Sequence, residues 1–227
     1  SVYAALPHEY ILTNNSVPSD FCHEVIHGEM NRKIAFDIDL ECSHDESEMI
    51  KNDVMNLLRK TIKLIWNTVY ISTKYVLTDK DVIFMTSSGP KDDNIYKVSY
   101  HILVASSKYV CMNARENEAF AELVKEALPK YKESIDMGLY KSRSNLRILN
   151  CYKVEREIVN GLSPYVDNGK VNVTRQKKAL FPETLTLSQS LVSYTQGLIV
   201  LPIKLAKDKP ILEYKKIDCD YDINKIK

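Results

Sequence analysis

The chain has 227 residues, 44% of them hydrophobic, and its 31 basic and 30 acidic side chains leave a net charge of +1. That is enough apolar material for one large globular domain or two small lobes. It excludes a global electrostatic pull toward nucleic acid, so binding of that kind must rest on a local basic surface. Residues 1 to 32 mix Pro7, Asn14, Asn15, Pro18 and charges without a sustained period, predicting an irregular lead-in with at most a short helix and no part in function. Lys33–Glu41, KIAFDIDLE, then alternates cleanly. Ile34, Phe36, Ile38 and Leu40 take one face of a half-buried strand, and Ala35, Asp37, Asp39 and Glu41 the other.

From Asp45 the period changes. Ser43, His44, Asp45 and Glu46 supply capping groups, and Met49, Val54, Leu57, Leu58, Ile62, Ile65 and Trp66 recur at helical spacing. A long helix packed on the strand is expected. DVIFMTSS at 81–88 and DDNIYKVSYHILVAS at 92–106 read as an antiparallel pair joined by a short polar loop. ENEAFAELVKEALPKY at 116–131 puts Phe120, Leu123, Val124 and Leu128 on one helical face and stops at Pro129. Apolar runs at 135–140 and 146–149, joined by the polar Lys141–Ser144, predict a hairpin. Further on come a helix near 187–196, the strand GLIVLPI and a mixed-charge tail from Lys204. The whole predicts an α+β fold, a mixed but largely antiparallel sheet with flanking helices. A core at 1–203 is expected to be followed by a tail or linker at 204–227 toward a missing downstream region.

No run of about 18 apolar residues and no basic-then-apolar leader occurs, so neither a membrane span nor a signal peptide is expected. Cys22, Cys42, Cys111, Cys151 and Cys219 are odd in number and form no CxxC pair, which fits reduced thiols in an intracellular protein. The spacing of Cys22, His23, His27, Cys42 and His44 matches no standard zinc pattern.

Three segments carry the chemistry. Residues two apart on a strand point the same way, so Asp37 and Asp39 place two carboxylates roughly 6 to 7 Å apart on one face. Such oxygen ligands suit Mg²⁺ or Mn²⁺, and Asp136 is the candidate third acid. Lys97, Ser99 and His101 share a strand face that could hold a triphosphate. Asp136 is followed closely by Lys141, Arg143 and Arg147, pairing an acid with bases that suit phosphates. Each segment alone also reads as an ordinary polar strand face or a solvated turn.

Taken in order, Asp37-Ile38-Asp39, Ser99-Tyr100-His101 and Ile135-Asp136 resemble the catalytic core of the archaeo-eukaryotic primase superfamily, especially the primase-polymerase branch of eukaryotes and large DNA viruses. The string DMGLYKSRSNLRI resembles the D-x-G-x-Y stretch and basic, Asn-containing segment of that branch, and the likeness covers about residues 32–150. The resemblance implies an RRM-like catalytic unit with an N-terminal α/β unit. It implies that Asp37, Asp39 and Asp136 bind the catalytic Mg²⁺ or Mn²⁺, and that Ser99 and His101 contact the nucleotide. It extends to Lys97, Arg143 and Arg147 as phosphate contacts. The implied activity is template-directed nucleotidyl transfer from an NTP or dNTP to a 3′-hydroxyl in DNA replication. The implied partners are a single-stranded DNA template, a primer and a helicase domain in the full-length protein; the implied place is the nucleus or a cytoplasmic viral replication site. Cys151 and Cys219 do not form the Cys/His zinc module with which many members continue, which implies better elongation than initiation.

The competing readings are a polymerase-β-type nucleotidyltransferase, a three-acid nuclease and a non-catalytic single-strand-binding module. His27-Gly28-Glu29 does not supply the Gly-Ser helix start of the first. The second leaves the Ser-Tyr-His segment unexplained, and the third places acids where phosphate would be repelled.

Overall fold

The computed structural model describes residues 4–6, 11–12, 22–70, 74–91, 93–105, 108–154 and 173–200. The main sheet is built from β3 (Ile34–Ser43), β4 (Val82–Thr86), β6 (Ile95–Val104) and β11 (Lys178–Phe181), in the order β11-β4-β6-β3 and antiparallel throughout, with the short β5 (Gly89–Pro90) beside β6. β3 and β6 pair over their full length, from Ile34 opposite Val104 to Ser43 opposite Ile95. Beyond β3, among the described residues, the sheet continues only as an antiparallel bridge between Ile38 and Ile135. With α1 (Ser47–Val69) after β3 and α2 (Ala114–Ala127) after β6, the chain runs β-α-β-β-α-β, the split βαβ plan with its last strand reduced to one bridge.

The expected α+β class, with antiparallel pairing and flanking helices, is therefore what forms. Its core lies between the helices and one face of the sheet. Val54, Leu58, Ile62, Ile65 and Trp66 of α1 and Phe120 and Val124 of α2 are buried in one cluster with Phe36, Ile38, Val98, Tyr100 and Phe84. Met49, expected on that helix face, is 62% exposed in the first turn, and Leu57 is half-buried. α2 starts on the side chain of Asn113, which accepts a hydrogen bond from Glu116 N–H, and ends before Pro129.

The second sheet was not expected. β1 (Ala4–Leu6) pairs parallel with β2 (Cys22–His27), and β2 pairs antiparallel with β8 (Arg143–Arg147). The lead-in at 1–32 thus contributes two strands, and against expectation β2 brings His23 to the cleft described below. The hairpin expected at 135–149 does not form, because residues 137–140 make a tight 3-10 turn and β8 takes β2 as its partner. β7 (Tyr109–Val110) pairs parallel with β12 (Ile199–Val200), and β9 (Tyr152–Val154) antiparallel with β10 (Val173–Gln176). The helix expected near 187–196 is only one turn, α3 (Leu187–Ser190). The tail expected at 204–227, with Cys219, lies outside the described residues. Among the described residues no helix is long and apolar enough to cross a membrane.

Candidate active site

In an antiparallel pair, residues directly opposite one another share a face. The register of β3 and β6 sets Asp37 opposite His101, Asp39 opposite Ser99 and Glu41 opposite Lys97. Two motifs separated by some sixty residues thus become one polar patch, on the face of the sheet away from the helices. Its other wall comes from the second sheet, where β2 contributes His23 and β8 contributes Asn145 and Arg147. Arg175 of β10 and Ser87 complete a cleft of about 190 Å³.

Within it Lys97 Nζ lies 2.7 Å from Asp39 Oδ2. Ser99 is held where β4 ends, its N–H donating to Ser88 Oγ (2.9 Å) and its Oγ accepting from Ser87 Oγ (3.1 Å). His101 Nε2 stands 3.5 Å from Asp37 Oδ1, too far for a good hydrogen bond. Burial above all, then the charges of Lys177, Arg147, His23 and Lys97, push His101 well below its ordinary pKa, so it is a neutral imidazole at pH 7. Asp37 moves the other way. Burial, then the like charges of Asp39 and Asp136, raise its carboxyl to about 7 against the opposing pull of Lys177 and Lys97.

Asp136 sits at the free edge of β3, where its N–H donates to Asp37 O (2.8 Å). Its exposed carboxylate accepts from Gly138 N–H (2.7 Å) and starts the 3-10 turn. A Cβ at residue 138 would stand 2.9 Å from Asp136 Oδ1, so glycine permits this close approach. Two residues on, Tyr140 O–H donates to Ala35 O (2.9 Å) and ties the turn to β3. The D-x-G-x-Y string is thus a device that carries an acid to the strand edge beside Asp37.

Of the residues expected from sequence, the cleft brings together Asp37, Asp39, Lys97, Ser99, His101 and Arg147. Asp136 adjoins it through its backbone, while Arg143 is exposed at the opposite end of β8 from Arg147, paired with His27. Sequence reasoning missed His23, Asn145 and Arg175 as lining residues. It also missed Lys177, whose buried amine donates to Arg147 O and is lowered to about 7, chiefly by burial. No local pattern marks these residues, since long-range pairing brings them here. Asn145 alone lay inside a motif already noticed.

Among the described residues no three His, Cys, Asp or Glu side chains close into a metal cage. The donor set nonetheless fits a hard divalent cation. Asp37 Oδ1 and Asp39 Oδ1 are buried without a hydrogen-bond partner, and burial, then the charges of Asp39 and Asp136, raise the Asp37 carboxyl. His101 Nδ1 and Arg147 Nε are likewise buried without a partner, so both acid and base sides of the cleft hold polar atoms that a ligand could satisfy.

No family model matches the chain. It is 31% identical over 137 residues to the "Putative helicase/primase complex protein" of African swine fever virus isolate Pig/Kenya/KEN-50/1950, over 58% of this chain and 13% of that protein. To the protein of the same name from the Badajoz 1971 Vero-adapted strain it is 27% identical over 154 residues, covering 58% of this chain and 14% of that protein. The chain thus spans about one seventh of the length of these curated relatives. It is similar to viral proteins whose name places them in helicase/primase complexes.

Proposed function

We propose that this chain is a DNA primase/polymerase catalytic domain that transfers a nucleotide from an NTP or dNTP to a 3′-hydroxyl on a single-stranded template in viral DNA replication. The observation that carries this reading is the β3–β6 register, which pairs Asp37 with His101 and Asp39 with Ser99 in one cleft walled by Arg147. The relatives' name supports the same class and suggests a helicase as a partner of the full-length protein.

Asp37, Asp39 and Asp136 are the residues that would hold Mg²⁺ or Mn²⁺, which supplies Lewis acidity toward phosphoryl oxygens when bound. Arg147 and Lys97 offer positive charge to the triphosphate, and neutral His101 and Ser99 offer hydrogen bonds. Attack of the 3′-hydroxyl on the α-phosphate releases pyrophosphate, and positioning with electrostatic stabilisation supplies most of the rate.

A non-catalytic single-strand-binding module is the second reading, favoured by the absence of a closed three-acid cage among the described residues. Incubation with Mg²⁺ or Mn²⁺, a single-stranded template, labelled nucleotides and, in parallel, a primer separates the two. Metal-dependent incorporation is expected, abolished in Asp37→Ala, with a raised nucleotide KM in His101→Ala. A folded protein that incorporates nothing in any combination ends the polymerase reading.

A further inference from the structure

The cleft lies between two sheets that, among the described residues, share no strand ladder. Asp37, Asp39, Lys97, Ser99 and His101 stand on one, and His23, Asn145 and Arg147 on the other. The turn at 136–140 ties the start of β8 to β3, and a second tie is needed on the β2 side to set the distance between these walls. Three charged side chains between β2 and the start of β3 are almost fully buried, Glu24 at 1% exposure, Arg32 at 0% and Lys33 at 3%. Buried charges persist only where hydrogen bonds replace their water. For Glu24 and Lys33 one short segment supplies those bonds, whereas Arg32 donates to Leu139 O (3.4 Å). Lys33 Nζ donates to Ser188 O (2.8 Å), Gln189 O (3.1 Å) and Leu191 O (2.8 Å). Glu24 accepts from Val192 N–H (3.0 Å), Ser193 N–H (2.7 Å) and Ser193 O–H (2.6 Å). Lys33 N–H also donates to Val192 O (2.9 Å).

We propose that residues 188–193 are a brace that locks the β2–β8 wall against the β3–β6 wall, with Glu24 and Lys33 as positioning residues that fix the width of the cleft. Glu24 belongs to β2 directly after His23, and its register partner Leu146 directly precedes Arg147. A shift of Glu24 therefore moves His23 and Arg147 together. Lys33 immediately precedes β3, the strand of Asp37 and Asp39. The bonds of the brace run to Glu24 and Lys33 and none of these involves Asp37 or Asp39, so it touches both walls through those two residues.

Glu24→Gln keeps the shape but turns one acceptor oxygen into a donor facing backbone N–H groups. Hydrogen exchange on the intact chain reads the result. Amides of β2 and β8 are expected to lose protection by roughly tenfold to hundredfold, the worth of a charge-assisted hydrogen bond, while β3 and β6 amides keep theirs. Equal loss in both sheets, or loss in neither, overturns the brace. If Glu24→Gln does not fold, Ser193→Ala removes one bond of the set and is read the same way. The kinetic consequence rests on the proposed nucleotide site: nucleotide KM should rise with kcat much less affected, because the Arg147 wall moves and the carboxylate wall does not. A wild-type chain without incorporation ends the polymerase reading, yet hydrogen exchange still decides the brace.

Discussion

Asp37 shows how far a residue placed for a charged ligand works against its own fold. Its carboxyl, 22% exposed, is raised from 3.8 to about 7 by burial and then by Asp39 and Asp136. Between those values the folded chain keeps a proton that the unfolded chain has released, so the group's contribution to stability falls as pH rises from about 4 to about 7. Asn at this position cannot ionise. In EDTA, Asp37→Asn should match wild type below pH 4 and exceed it above pH 7, by up to about 4 kcal/mol, with the gap growing in between. Thermal melts of both proteins across that range check it, and a pH-independent gap would mean the carboxylate is not strained. Burial also holds His101, which lines the cleft, and Lys177, bonded to Arg147 O behind it, below their ordinary values, so each favours its neutral form.

At the scale of elements, β8 separates two arginines that sequence put in one role. Arg143 and Arg147 are four residues apart on a strand, about 13 Å, and only Arg147 lines the cleft. Arg147→Met should raise the nucleotide KM by roughly tenfold to hundredfold, while Arg143→Met leaves it unchanged. Steady-state kinetics of the two variants decides, and equal effects would mean the cleft extends along the strand. β3, β6, α1 and α2 were legible because their apolar period matches the face they bury, and the Asp37 and His101 motifs were legible because they ride on those periods. β2 was not. It carries His23, Glu24 and His27, and the buried Glu24 is satisfied by backbone 168 and 169 residues away, which no local period encodes. The apparent hairpin at 135–149 failed for a related reason. Local capping of Gly138 by Asp136 takes the first run into a 3-10 turn, and the second run finds a distant partner in β2.

Across the whole molecule, 31 basic and 30 acidic side chains nearly cancel, so any hold on a DNA strand depends on which cations stand near the cleft and not on their total. Charges more than about 10 Å apart are screened at ordinary ionic strength, which removes distant acids as well as distant bases. Among the described residues the outlying cations near the cleft are few: exposed Lys141 just before β8, Arg143 at its start, and Arg175 of β10 at the rim. A single strand held by two or three of them should lose affinity with salt at a log–log slope of roughly −1.4 to −2, shallow for a nucleic-acid protein. Removing Arg143, which the cleft does not use, should reduce the magnitude of that slope by about 0.7. Anisotropy titrations of a labelled oligothymidylate at several salt concentrations measure both. A much steeper wild-type slope would require a second basic surface. An unchanged slope in Arg143→Ala would take the strand off this end of β8 and leave the template path to the Arg175 side of the cleft.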